Sequence, residues 1–219
     1  MPSKNTIKNY IENGFYHIYN RGVEQRIIFN DELDYTMFLS YLKNYLIPPY
    51  KNQTRPIRRS DLYEKIKLLA YCLMPNHFHL LIEQSNSTSI ISFMRCLSNA
   101  YTNYFNRRNN RVGPLFQGRY KAVLVTEDPY LLHLTRYIHL NPCELSPIYR
   151  SDLLKYSYSS YAEYLGRRKT SWIHSEEILA FFKTAKRPNL KDILSYQSFV
   201  EDSMENPRAI IKDLTLDSD

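Results

Sequence analysis

Glycine and cysteine are scarce in this sequence, which has five glycines and three cysteines among 219 residues. The scarcity of glycine leaves no phosphate-binding loop, so we expect no nucleotide cofactor. Because Cys72, Cys96 and Cys143 are odd in number and far apart, they fit neither a disulfide framework nor a Cys-x-x-Cys zinc site. No apolar run approaches the roughly 20 residues of a membrane span, and the first residues lack the apolar core of a signal peptide. We therefore expect a reduced, cytoplasmic protein with no membrane association.

Acidic residues are also missing from residues 84–126, although the whole chain has 22 of them and a net charge of +7. A long basic stretch of this kind indicates a surface that faces a polyanion, and its interleaved tyrosines suit stacking on unpaired bases. Arg119 and Lys121 alternate on a predicted strand and are expected to share one face. A solvated loop and helix face is the alternative interpretation for residues 107–111. The predicted DNA-binding residues are Arg21, Arg107, Arg108, Arg111, Arg119 and Lys121.

The hydrophobic pattern predicts an α+β fold. Strands are expected at residues 14–20, 67–73, 77–83 and 119–125, and helices at residues 31–46, 87–106 and 127–140. This β-α-β-β-α-β order, followed by a further helix, is that of a ferredoxin-like antiparallel sheet. Residues 47–61 are predicted to be an exposed basic loop. We divide the chain into a main domain at residues 1–165 and a small, mostly helical extension at residues 166–219, with helices near 175–184 and 189–205 and an acidic tail.

Two histidines separated by one residue, His77 and His79, lie within the third predicted strand. Alternate side chains of a strand share a face, so both imidazoles are expected to point the same way, while Phe78 points into the opposite layer. Two imidazoles on one face can bind a divalent metal ion.

The third predicted helix offers a nucleophile and another ligand. Tyr137 and Asn141 are four residues apart, hence on one helical face. The amide oxygen of Asn141 could complete a coordination shell, and a site of nitrogen and oxygen ligands without thiolate permits Mg²⁺ or Mn²⁺ and does not exclude Zn²⁺. Tyr130, two turns before Tyr137, is the rival nucleophile. We expect His17 and His139 to be structural.

Four motifs occur in a fixed order along the chain: Tyr-His-Ile-Tyr-Asn-Arg-Gly at 16–22, Met-Pro-Asn-His-Phe-His at 74–79, Phe-Gln-Gly-Arg-Tyr-Lys at 116–121 and Arg-Tyr-Ile-His-Leu-Asn-Pro at 136–142. Together they resemble the IS200-like single-tyrosine transposases (the HUH, Y1 class), and most closely the branch of REP-associated tyrosine transposases. The resemblance covers residues 14–165. His139 departs from the pattern, since many relatives have an acid there.

The resemblance implies that residues 1–165 form a catalytic domain with a ferredoxin-like sheet. It implies that Tyr137 is the nucleophile, that His77, His79 and Asn141 bind the metal, and that the protein works as a homodimer. Tyr137 would attack a phosphodiester of single-stranded DNA beside a REP-like hairpin, giving a 5′-phosphotyrosine and a free 3′-OH. A later 3′-OH would reverse the step and join DNA, so the protein would act at the bacterial nucleoid with Mg²⁺ or Mn²⁺.

Two other functions compete with the transposase interpretation. The first is a domesticated regulator that binds hairpin DNA without cutting it. The intact set of His77, His79, Tyr137 and Asn141 disfavours this function. The second is an unrelated zinc hydrolase, which lacks support because no third His or carboxylate lies at a recognised zinc spacing.

Overall fold

The computed structural model describes residues 9–49, 61–183 and 195–202. Most of the predicted basic loop at 47–61, the middle of the extension and the acidic tail lie outside the described residues. So do both ends of the helix predicted at 189–205, whose described part runs over Tyr196–Glu201.

Four strands form one antiparallel sheet: β1 (Phe15–Arg21), β2 (Ile66–Met74), β3 (His77–Gln84) and β4 (Lys121–Val125). The strand order is β2-β3-β1-β4, and every neighbouring pair is antiparallel. This is the order of a ferredoxin-like sheet, so the predicted fold class is confirmed.

Eight helices accompany the sheet in the described residues: α1 (Glu32–Leu46), α2 (Leu62–Lys65), α3 (Ser89–Arg108), α4 (Asp128–Leu140), α5 (Pro147–Ser151), α6 (Tyr161–Tyr164), α7 (Glu176–Lys183) and α8 (Tyr196–Glu201). Short 3₁₀ turns occupy Val23–Gln25, Asn141–Glu144 and Leu153–Lys155. Helix α1 begins where Asp31 accepts hydrogen bonds from the amides of Leu33 and Asp34. Helix α4 begins with Pro129 in its first turn, where the missing amide hydrogen costs nothing.

Alternation along β1 and β3 divides the protein into two cores. Tyr16 and Ile18 of β1 and Phe78 of β3 point toward α1 and α3 and belong to one buried cluster. On the other face, Leu81 packs with α4 residues such as Leu134 in a second buried cluster. Because burying one such aliphatic or aromatic side chain contributes about 1.5–3 kcal/mol, each face fixes the strand register.

Strand β4 is shorter than predicted, and Arg119 lies outside it. Gly118 adopts a φ of +100°, a conformation that glycine tolerates best. The amide of Gln117 donates to the carbonyl of Arg21 at 2.9 Å. The segment before Lys121 therefore turns across the end of β1, and it joins the sheet only from Lys121 onward.

The described part of the C-terminal extension packs on both cores. Trp172 and Ile173 join the cluster of α1 and α3, whereas Ile178, Tyr196 and Phe199 join the cluster of α4. The boundary at residue 165 stays a prediction. Of the helices in the described residues, none is both long and apolar enough to span a membrane.

Candidate active site

The two motif histidines lie on the sheet face that α4 covers. His77 pairs with Arg21 across β3 and β1, and His79 pairs with Tyr19. Phe78, between them, is buried in the opposite core. Directly opposite residues of an antiparallel pair share a face, so the predicted orientation of both histidines is observed.

The hydrogen bond between His77 and Asn76 fixes the tautomer of the His77 ring. Nδ1 of His77 lies 2.7 Å from Oδ1 of Asn76. An amide oxygen only accepts hydrogen bonds, so Nδ1 donates this bond, and in the neutral ring Nε2 carries the lone pair. Metal-binding histidines commonly have such a second partner, which fixes both tautomer and ring orientation.

His79 has a histidine as its partner, and the sequence did not point to it. Nδ1 of His79 lies 2.9 Å from Nε2 of His17, and both residues are fully buried. The two rings stack with their centroids 5.0 Å apart. When Nδ1 of His79 donates this bond, its Nε2 keeps the lone pair that a metal needs. His17 therefore lies within the candidate site, next to a predicted ligand.

Helix α4 places Tyr137 against these rings. The ring of Tyr137 is edge-on to His79, with centroids 5.3 Å apart and an interplanar angle of 79°. It is also edge-on to His17 at 6.2 Å. Tyr137 is only 4% exposed, because the apolar side of α4 holds it on the sheet. The structure thus brings the predicted nucleophile to the predicted histidines.

Asn141 is tied to the backbone of Tyr137. Its Nδ2 donates to the carbonyl oxygen of Tyr137 at 2.8 Å, which satisfies a carbonyl in the last turn of α4. Its Oδ1 is buried and accepts no hydrogen bond from the described residues. A buried amide oxygen without a donor is costly unless another electrophile meets it. A metal ion is one such electrophile.

The candidate ligand atoms of His77, His79 and Asn141 therefore suit a divalent cation. Two neutral imidazoles and one amide oxygen, without thiolate, are compatible with Mn²⁺ and Mg²⁺. Across the described residues, no three His, Cys, Asp or Glu side chains form a metal-binding group. A site here thus depends on the amide of Asn141 in addition to His77 and His79.

Tyr130 and His139 lie elsewhere. Tyr130 is 37% exposed, and no ring contact joins it to a histidine within the described part of the chain. His139 is fully buried between Ser160 and Tyr196, with Nε2 2.8 Å from the serine hydroxyl and Nδ1 2.6 Å from the tyrosine hydroxyl. Burial lowers the pKa of His139 to about 3. A neutral, hydrogen-bonded imidazole agrees with the expected structural role.

The six predicted DNA-binding cations do not form one surface. Arg21 and Lys121 lie on the sheet face that carries His77 and His79, which we call the histidine face. Arg21 pairs with His77 on this face, and Lys121 pairs with Tyr19. Arg21 also donates to Oε1 of Gln117. Arg119 instead lines a pocket with residues of α3, on the opposite face. The expectation that Arg119 and Lys121 share a face is therefore wrong, because Arg119 precedes the strand.

The three arginines near the end of α3 have different surroundings. Arg107 is exposed. Arg111 donates to Oδ1 of Asn106 at 2.8 Å and lies over the ring of Phe105. Arg108 forms ion pairs with Asp31 and with Asp34. Two carboxylates from α1 and its N-cap thus compensate the charge of Arg108.

We expect Arg108→Ala to lower the midpoint of thermal unfolding, because it leaves the carboxylate of Asp34, which is 0% exposed, without its cation. Arg107→Ala is the matched control and is expected to leave the midpoint unchanged.

Arg108 also lowers the pKa of Asp31 from 3.8 to about 2. This stabilisation is complete above the ordinary pKa and is lost as the pH falls through the folded-state value. Calorimetry from about pH 4 to about pH 2 should show a steeper fall for the wild type than for Arg108→Ala. Parallel curves would contradict the assignment.

Comparison with known proteins shows the family to which this chain belongs. The family model described as IS200-like transposase matches residues 16–141. This match spans more than half of the chain, and the protein belongs to the IS200-like transposase family.

Some solved structures are similar to this chain at low identity. One, described as a REP-associated tyrosine transposase bound to a REP hairpin, is 13% identical, with a TM-score of 0.53 over 77% of this chain and 95% of that chain. Another, from Deinococcus radiodurans, is 17% identical, with a TM-score of 0.38 over 63% of this chain and 95% of that one. A comparison with curated proteins gives no match.

Proposed function

We propose that this transposase is a metal-dependent single-stranded DNA endonuclease and strand transferase that works through a 5′-phosphotyrosine on Tyr137. The observation that carries the proposal is the placement of the Tyr137 ring edge-on to His79 at 5.3 Å. Asn141, bonded to the carbonyl of Tyr137, supplies the adjacent buried oxygen.

The reaction is a transesterification that conserves phosphodiester bonds. The hydroxyl oxygen of Tyr137 attacks the phosphorus, the bond to the 3′ oxygen breaks, and that oxygen takes up a proton to leave as a 3′-OH. A second 3′-OH later attacks the phosphotyrosine and releases the phenol. Each step exchanges one phosphate ester for another, so no nucleotide cofactor is required.

His77, His79 and Asn141 would hold the divalent cation, Mg²⁺ or Mn²⁺. When bound, such an ion favours the phenolate and withdraws charge from a phosphate oxygen. The protein's own contribution is positioning. The last turn of α4 holds the Tyr137 backbone and Asn141 together, while Asn76 and His17 orient the two imidazoles.

Single-stranded DNA beside a hairpin is the proposed substrate. A buried tyrosine on one face of a sheet reaches a phosphate more readily in a strand that can bend away from its complement. Arg21 and Lys121 lie on the same face and would meet the neighbouring phosphates. The structural similarity to a protein bound to a REP hairpin supports a hairpin partner and the REP-associated branch. A homodimer and association with the nucleoid are part of this proposal.

The substrate and the metal requirement can be tested together. The protein is incubated with labelled hairpins whose single-stranded flanks are randomised, with Mn²⁺ or with EDTA, and is then denatured. We expect an adduct on denaturing gels with Mn²⁺ only, and none on fully paired duplexes. An adduct of equal yield in EDTA would contradict the metal requirement, and one of equal yield on duplex DNA would contradict the substrate.

The hydrogen bond between His17 and His79 gives a further prediction. His17→Phe keeps an aromatic ring of similar size and removes the bond to Nδ1 of His79. Because partners of metal-binding histidines typically contribute about 10–100-fold to metal affinity or activity, we expect Mn²⁺ affinity to fall within that range. Titration calorimetry measures it, and the unfolding midpoint checks the fold. Unchanged affinity in a folded variant would show that His17 only fills space.

A further inference from the structure

A pocket lies on the face of the sheet opposite to Tyr137. It has a volume of about 760 Å³, within the range of roughly 300–1,000 Å³ typical of small-molecule sites. Helix α3 forms one wall, and the end of β1 and the segment before β4 form the other. The residues that matter here are Tyr10, Asn20, Arg95, Phe116, Arg119 and Tyr120.

The charge of this pocket selects an anion. Arg95 and Arg119 are exposed at its surface. No Asp or Glu is among the residues that line it, and residues 84–126 contain none at all. Two guanidinium groups without a carboxylate attract a phosphate, and each can bind it through two hydrogen bonds.

The aromatic wall of the pocket is held in place. The hydroxyls of Tyr10 and Tyr120 are 2.8 Å apart, and Tyr10 packs on Tyr16 with ring centroids 5.3 Å apart. Burial raises the pKa of both Tyr10 and Tyr120, so the phenols stay neutral and do not repel an anion. Asn20 donates to the carbonyl of Gly118 at 3.2 Å, which anchors the loop that precedes Tyr120. Fixed aromatic faces beside cations suit a planar base with its phosphate.

A DNA strand can connect this pocket to the candidate active site. Strand β4 is at the edge of the sheet, and among the described residues no further β-strand lies beyond it, so a DNA strand can pass from one face to the other around this edge. Lys121 lies on the histidine face, and Arg119, two residues earlier, lines the pocket. Asn20 and Arg21 likewise point to opposite faces from adjacent positions of β1. Basic side chains thus lie on both faces of the sheet near the β4 edge.

We infer that the pocket binds one unpaired nucleotide of the DNA strand, with the base against Tyr120 and a phosphate at Arg95 and Arg119. The inference rests on the proposed function, because it takes single-stranded DNA as the substrate. It adds a binding site remote from the nucleophile, which would hold the flank of the hairpin while Tyr137 acts.

The test uses two short fluorescent probes of equal length and charge, an oligothymidylate and its abasic counterpart. Binding to the full-length Tyr137→Phe protein is followed by anisotropy. Since stacking one base contributes roughly 1–3 kcal/mol, about 5- to 150-fold, we expect that much preference for the oligothymidylate. Tyr120→Ala should abolish the preference, and Tyr120→Phe should retain it. Arg119→Ala should weaken the binding of both probes equally. It should also reduce the slope of log affinity against log salt concentration by about one.

Two controls keep the test decisive. Lys155→Ala removes an exposed cation from the α4 side and should change neither probe, and melting curves verify that each variant is folded. Photocrosslinking of wild-type protein to an oligothymidylate carrying 5-iodouracil should label the peptide that contains Tyr120. Labels confined to the α4 face, at Tyr19 or Tyr130, would overturn the inference, as would a base preference that survives in Tyr120→Ala. These readouts need no cleavage, so their failure is distinguishable from a failure of the proposed function.

Discussion

Tyr137→Phe is expected to lose at least about a thousandfold in the rate of DNA cleavage, because removal of a nucleophile costs several orders of magnitude in enzymes that form covalent intermediates. The substitution deletes one oxygen and keeps the ring beside His79 and His17. Folding and DNA affinity should therefore stay close to wild type. Cleavage of a labelled hairpin with single-stranded flanks measures the rate, and anisotropy measures the affinity.

Tyr130→Phe is the matched control for this experiment. Tyr130 is on the same helix, two turns earlier, and loses the same hydroxyl. Since it has no ring contact with the site histidines in the described residues, we expect cleavage within about twofold of wild type. Loss of cleavage in Tyr130→Phe with retention in Tyr137→Phe would reverse the assignment of the nucleophile.

His77→Ala is expected to lose at least about a hundredfold in Mn²⁺ affinity and a comparable factor in cleavage, because a site with three protein ligands loses one of them. His77 is half-buried, so the substitution leaves a smaller defect in the core than one at the fully buried His79. Electron paramagnetic resonance of free Mn²⁺ measures the affinity without any need for DNA.

His174→Ala provides the comparison for His77→Ala. His174 pairs with Glu176 at 3.1 Å, outside the candidate site. Removing this imidazole should change neither Mn²⁺ binding nor cleavage. If His77→Ala and His174→Ala bound Mn²⁺ equally well, the histidines of β3 would not be metal ligands, and the proposed mechanism would need another source of charge compensation.

Much of the fold follows from local patterns in the sequence. Alternation in β1 and β3 and the helical spacing in α1, α3 and α4 predict these elements because each buries one face. The predicted start of β4, at residue 119, lies two residues before the observed start at Lys121. The glycine turn at Gly118 and the bond from Gln117 to Arg21 depend on the end of β1, which is distant in sequence.

The candidate site was predictable where its residues share an element. His77 and His79 lie on one strand, and Tyr137 and Asn141 on one helical face, so spacing alone brings each pair together. His17 was missed as a partner because alternation gives the face of a side chain and not the neighbouring strand. The pairing of β1 with β3 decides that His17 approaches His79. For the same reason, the sequence could not show that Asp34 compensates Arg108.

Mass spectrometry of the covalent adduct tests whether Tyr137 is the nucleophile. The wild-type protein is trapped on hairpin DNA with Mn²⁺, digested with trypsin and nuclease, and its modified peptide is sequenced. We expect a nucleotide joined through its 5′ phosphate to the hydroxyl oxygen of Tyr137. A nucleotide on Tyr130, a linkage through the 3′ phosphate, or cleaved DNA with no modified peptide would contradict it.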